Sequence, residues 1–210
     1  MKIQIIIADD HAVVRKGLKQ ILLDEMLDAQ ISEAASAEQL LEIMRQQKFD
    51  LVISDISMPG RSGIDLLKQL HIDYPLLPVL ILSMHSEAQY ALRALKAGAA
   101  GYLTKDTASE ELVKAVRQIL NGRKYISSSL AELLAENIGG NATETSHDIL
   151  SDREFEVMKL IATGKSISEI AEMLSISINT VSTYRSRVLE KMKLQTNADL
   201  TLYAVEHKLI

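Results

Sequence analysis

Acidic residues close two apolar runs in this sequence: Asp9-Asp10 follows the run 3–8, and Asp55 follows the run 51–54. Short β-branched runs of this kind read as buried parallel strands, whose neighbouring ends converge on one edge of a sheet. Three carboxylates sharing a small space raise one another's pKa or need a cation between them. An all-oxygen set with open positions suits Mg2+, which keeps waters and bridges to phosphate; Mn2+ is the natural substitute. A third run, 79–83, ends in Ser83, a hydroxyl donor, and a weaker one, 100–104, is followed by Lys105, a point charge able to meet a phosphate oxygen. Carboxylates, a divalent ion, a hydroxyl and a lysine together make a phosphoryl-transfer site with Asp55 as the nucleophile. A lone Asp at a strand end is more often a helix cap; here each member of the set ends a different strand. His11 and His85 flank the set, but no third ligand accompanies them, so neither is read as a metal ligand.

The elements that must position these residues alternate in type. With a further weak strand at 31–35 there are five runs, separated by helical patterns: Val14, Leu18 and Ile21; Leu40, Leu41 and Met44; Ile64, Leu67 and Leu70; Ala91, Leu92 and Leu95; Leu112, Val116 and Ile119. Five strand–helix units imply an α/β fold with a doubly wound five-stranded parallel sheet, which binds ligands beyond the carboxyl ends of its strands. Asn121-Gly122 stops the fifth helix, a short helical piece follows at 128–137, and the small, polar stretch 139–146 reads as a linker. Beyond it the patterns are helical only, over 152–162, 168–174, 178–192 and 197–207. The chain therefore divides into residues 1–122, a connecting helix and linker at 123–149, and an all-α domain of four helices at 150–210.

Composition narrows the class. A chain of 210 residues that is 47% hydrophobic and 24% charged suits one or two globular domains. The absence of cysteine excludes disulfides, thiolate metal sites and cysteine nucleophiles. No apolar run approaches 18 residues and no signal peptide is evident, so a cytoplasmic protein without membrane contact is expected. The formal charge of −5, taken whole, counts against nucleic acid, yet residues 1–145 hold 15 basic and 19 acidic side chains and the remainder 8 and 9. Most of the deficit lies in the half that carries the acidic site. The whole-chain charge is the wrong unit for judging the tail.

In that tail, residues 166–181 read as a helix, a tight turn and a second helix, with Ala171 at the close approach and Ile170, Leu174, Ile178 and Val181 in the seam. A helix-turn-helix places its second helix in the DNA major groove. Val181, Tyr184, Val188 and Met192 form the apolar side of that helix. Asn179, Thr180, Ser182, Thr183, Arg185, Ser186, Arg187, Lys191 and Lys193 are the candidate DNA contacts, and residues 177–193 carry a local charge of +3. Short hydroxyls can bond several base edges, so no base preference follows from them. So few cations imply weak, salt-sensitive binding by one module and a need for dimers on paired half-sites.

Asp9-Asp10-His11, Asp55-Ile-Ser-Met58-Pro59-Gly60, Leu82-Ser83-Met84-His85 and Ala97-Gly98-Ala-Ala-Gly101-Tyr102-Leu-Thr-Lys105 resemble the receiver domain of two-component response regulators. The resemblance covers residues 1–122 and implies a flavodoxin-like fold. It also implies phosphorylation of Asp55 by a sensor histidine kinase, and Mg2+ held by Asp10, Asp55 and the Ser57 backbone carbonyl, with Asp9 acting through water. Ser83 and Lys105 would contact the phosphoryl group, and Tyr102 would be a switch aromatic that moves inward with Ser83. Leu150-Ser-Asp-Arg153-Glu154-Phe-Glu156-Val157, Ile170-Ala171 and Asn179-Thr-Val181 look like the LuxR-type helix-turn-helix, completing the NarL/FixJ arrangement. That similarity implies double-stranded DNA as partner, RNA polymerase as a further one, and a homodimer through the last helix, with Leu202 and Val205 as candidates. Asn179 and Tyr184 depart from the lysine and histidine common there. Two alternatives are weighed: a receiver whose tail binds protein, and an aspartate-nucleophile phosphohydrolase. The second is disfavoured because Ser57 stands where those enzymes carry an acid/base Asp; a slowly self-dephosphorylating switch fits better.

Overall fold

A computed structural model of the chain describes residues 2–58, 63–84, 87–139, 147, 149–207 and 209–210. Pro59, Gly60 and His85 of the motifs above, and nearly all of the expected linker, lie outside the described residues. The contacts separate into two compact units, the first ending at Gly139.

In the first unit β1 (Ile3–Ala8), α1 (Ala12–Glu25), β2 (Ala29–Ala34), α2 (Ala37–Gln46), β3 (Leu51–Asp55), α3 (Gly63–Asp73), β4 (Val79–Ser83), α4 (Glu87–Lys96), β5 (Gly101–Thr104) and α5 (Ala108–Leu120) alternate along the chain. The strands form one parallel sheet in the order β2-β1-β3-β4-β5. Ile5, Ile7, Leu51, Ile53, Leu80 and Leu82 pack with Leu18 and Leu22 of α1 and Leu112, Val116 and Ile119 of α5. Intervening residues such as Ile6, Val52 and Ile81 are equally buried on the opposite face. Burial on both faces is why these strands read as continuous apolar runs rather than alternating ones.

The edge strand β2 begins at Ala29, two residues before the sequence pattern, because its pairing with β1 starts at Ile3 opposite Ala29. Exposed Gln30 interrupts the apolar signal there. α6 (Ser128–Gly139) follows α5 and packs against α4 within the first unit. Tyr125, wholly buried, bridges to Gly101, where a Cβ would come 3.0 Å from the Tyr125 Cβ.

The second unit contains α7 (Asp152–Ala162), α8 (Ile167–Met173), α9 (Ile178–Met192) and α10 (Asn197–Glu206). Capping boxes start three of them: Ser151 with Glu154, Ser166 with Glu169, and Thr196 with Asp199. Ser177 caps α9 by accepting from the Thr180 N–H. Each satisfies donors that the first turn leaves open. Val157, Ile161, Ile170, Ala171, Leu174 and Val181 form the core. Between α8 and α9 the chain turns sharply through Ser175, in the left-handed region at φ 54°. Among the described residues no helix is long and apolar enough to cross a membrane.

Candidate functional site

The sheet order reverses between β1 and β3, so a crevice opens beyond their carboxyl ends. Ala8 lies opposite Ser54, and the next residues, Asp9 and Asp55, emerge side by side. Both are buried. Lys105 follows β5 and reaches across the sheet edge, its Nζ 2.6 Å from Asp9 Oδ2 and 2.7 Å from Asp55 Oδ2. The Ser57 N–H donates to Asp55 Oδ1 at 3.2 Å, so the main chain of Ser57 adjoins the same carboxylate. Burial pushes the Asp55 carboxyl above the usual carboxylate range, against the pull of Lys105. Burial would likewise lower Lys105, but its hydrogen bonds to Asp55 and Asp9 outweigh that and raise it. The ammonium is therefore the charge that lets two buried carboxylates coexist.

Ser83, at the end of β4, and Tyr102, in the middle of β5, are both fully buried. The Tyr102 ring is thus packed inside the unit. Asp10 stands at the rim, with its side chain 29% exposed. His11 joins it: one ring nitrogen lies 2.8 Å from Asp10 Oδ1 and 3.2 Å from Asp9 Oδ1. One oxygen each of Asp9, Asp10 and Asp55 and a nitrogen of His11 all lie within 4.8 Å of one another, a donor set that could hold a divalent cation. His11 was set aside in the sequence, together with His85, for want of a third ligand; the carboxylates of Asp9, Asp10 and Asp55 lie beside it instead. The start of α3 is pressed against this site. A Cβ on Gly63 would meet the Asp55 carbonyl oxygen and Ile56 Cα at 2.5 Å, so only glycine lets α3 approach the end of β3.

In the second unit Val181, Val188 and Met192 are buried and Tyr184 half-buried, which turns the opposite side of α9 outward. Asn179, Ser182, Thr183, Ser186, Arg187, Lys191 and Lys193 are exposed, while Thr180 and Arg185 are half-buried. Several of these groups are already engaged. Thr183 and Ser186 donate their hydroxyls to the carbonyls of Asn179 and Ser182, one turn back. Arg185 Nε donates to Asn197 Oδ1 at 2.6 Å, and Thr180 Oγ1 shares a hydrogen bond with Ser177 Oγ. Lys191 Nζ donates to Glu154 Oε2 at 2.7 Å, which ties α9 to α7.

That last pair makes a pH prediction. Burial would raise the Glu154 carboxyl, but the Lys191 ammonium and the Ser151 cap together hold it below its ordinary value of 4.5. A depressed carboxylate contributes stability that is present above the ordinary value and lost as pH falls through the folded one. Glu154→Gln should therefore lower amide-exchange protection in α7 and α9 at neutral pH, by about 1 kcal/mol. The gap from the unsubstituted chain should close as pH falls below 4.5.

Residues 5–117 match the response regulator receiver domain, and residues 148–204 match the bacterial regulatory proteins of the luxR family. The chain is a two-component response regulator. It is 34% identical to the response regulator UvrY of Escherichia coli (strain K12), across 99% of this chain and 95% of that protein. It is also 34% identical to the response regulator GacA of Pseudomonas aeruginosa, across 99% and 98%. Among solved structures, RcsB from Salmonella enterica serovar Typhimurium, bound to promoter rprA in the presence of phosphomimetic BeF3-, superposes with a TM-score of 0.68 at 27% identity, covering 97% of this chain and 98% of that one. The receiver match of this response regulator falls within the first unit and the LuxR-type helix-turn-helix match within the second, in the NarL/FixJ order. Such a protein is a transcriptional signalling switch and not a turnover enzyme. On α10 of the regulator, Leu202 and Val205 are 60% and 57% exposed.

Proposed function

We propose that this response regulator takes a phosphoryl group onto Asp55 from the phosphohistidine of a sensor kinase and thereby controls its dimerisation and DNA binding. The observation that carries the reading is the Asp9–Lys105–Asp55 arrangement at the sheet switch point of a chain that also holds a helix-turn-helix. The Asp55 carboxylate attacks phosphorus; a P–O bond forms, the kinase's N–P bond breaks, and the imidazole leaves with the bonding pair and takes up a proton. Lys105, freed from one carboxylate oxygen as that oxygen is esterified, turns to the phosphoryl oxygens. The Ser83 hydroxyl donates to another, and Tyr102 fills the space beside it. Asp9, Asp10, Asp55 and the Ser57 carbonyl would hold Mg2+, or Mn2+ in its place, and such an ion neutralises charge on the transferring group. Water returns the carboxylate slowly, since Ser57 offers no acid/base group.

For DNA, Arg187 and Lys193 are the cations best placed for phosphates, and Asn179, Ser182, Thr183 and Ser186 for base edges. Lys191 and Arg185 are positioning residues that hold α9 on α7 and α10. Dimers through Leu202 and Val205 of α10 would place two such helices on half-sites one helical turn apart. RNA polymerase is the further partner of the bound dimer. Selection of duplexes from fragmented genomic DNA by the full chain, with and without beryllofluoride, tests this. Paired half-sites should be enriched when beryllofluoride and Mg2+ are present, with affinity falling as salt rises. No enrichment, or binding indifferent to salt, overturns it.

A further inference from the structure

His11 is the one member of the cation cluster that the phosphoryl-transfer reading leaves without a task. It is the N-cap residue of α1, yet its side chain makes no capping hydrogen bond. The ring is held by carboxylates instead, and its backbone N–H also donates to Asp9 Oδ1, at 2.7 Å. The two carboxylate partners of Lys105 receive it on their Oδ2 atoms, whereas His11 meets Asp9 and Asp10 on Oδ1. Lys105 and the imidazole thus approach Asp9 through different oxygens. The ring is 63% exposed and can turn without disturbing the core.

Adjacent ligands of an octahedral ion with bonds of about 2.1 Å lie about 3.0 Å apart. The nitrogen of His11 stands 2.8 Å and 3.2 Å from its two carboxylate oxygens, either side of that spacing. Imidazole nitrogen suits cobalt, nickel and zinc ions far better than Mg2+, which takes oxygen ligands. We propose that His11 adds a nitrogen ligand to Asp9, Asp10 and Asp55, so that the receiver site selects first-row transition cations of the cobalt-to-zinc range over Mg2+. This rests on the reading of those three carboxylates as the cation site, and it makes the site a place where such ions compete with the activating one.

The test uses the full chain, Co2+ and Mg2+, with His11→Ala and His11→Gln. Calorimetry should give tighter binding of Co2+ than of Mg2+, and both variants should lose about tenfold or more in Co2+ affinity, with a much smaller change for Mg2+. Pulsed electron paramagnetic resonance of the Mn2+-loaded chain should show imidazole nitrogen coupling that disappears in both variants. Mg2+ binding with no His11-dependent preference for Co2+, or nitrogen coupling that survives the substitutions, overturns the proposal and leaves the phosphoryl-transfer reading standing. Failure of both ions to bind would sink both.

Discussion

Asp55→Ala is expected to take up no phosphoryl group from a small acyl phosphate and Mg2+, while the unsubstituted chain gains one, read as intact mass. The loss should be complete, because among the described residues Asp55 alone combines a buried carboxylate with the Lys105 ammonium on one oxygen and the Ser57 amide on the other. Asp10 is more exposed and is engaged by His11, so it is no substitute nucleophile. The fold should survive, since Lys105 keeps Asp9 as its partner when Asp55 is gone. Uptake by the Ala variant at an undiminished level would remove Asp55 from the mechanism.

Lys105→Met is the second large effect, and it acts on stability as well as chemistry. The Lys105 side chain is 7% exposed and joins carboxylates whose side chains are 1% and 2% exposed. Removing the cation leaves two buried carboxylates facing each other, and breaking such a pair costs about 3–5 kcal/mol. Burial already pushes the Asp55 carboxyl up, and without Lys105 it should rise further. A raised carboxylate contributes stability that is present below its unfolded value and lost as pH rises through the folded one. Metal-free Lys105→Met should therefore become less stable from acid toward neutral pH, opposite in sign to the Glu154 effect. Saturating Mg2+ should restore part of the loss, about 2.7 kcal/mol at a hundredfold excess over Kd. Urea unfolding across pH, with and without Mg2+, reads all three. A variant as stable as the parent without metal would contradict the role given to the ammonium.

Asp9 and Asp55 were visible in the sequence for a physical reason: the strands that lead to them are buried on both faces, so their apolar runs stop where the chemistry begins. The helix patterns of the second unit were legible from their apolar spacing, and the structure starts three of those helices with capping boxes at Ser151, Ser166 and Thr196. Contacts that depend on folding were not. Lys191, one of the candidate DNA contacts, meets Glu154 of α7, 37 residues earlier, and Arg185 meets Asn197 across a turn. His11 was passed over because no third ligand was evident beside it and His85, whereas the register of β1 and β3 brings carboxylates to it. The start of β2 at Ala29 was hidden by the polar, exposed side of an edge strand.

The central claim is that chemistry at Asp55 governs DNA binding by α9. It is tested most directly by measuring the affinity of the full chain and of Asp55→Ala for one selected paired-half-site duplex, at fixed salt, with Mg2+ and with or without beryllofluoride. Beryllofluoride should tighten binding of the unsubstituted chain by about tenfold or more, the scale of an ordinary allosteric coupling, and leave the variant unmoved. Equal affinities for both proteins in all conditions, or an equal response in the variant, would contradict it.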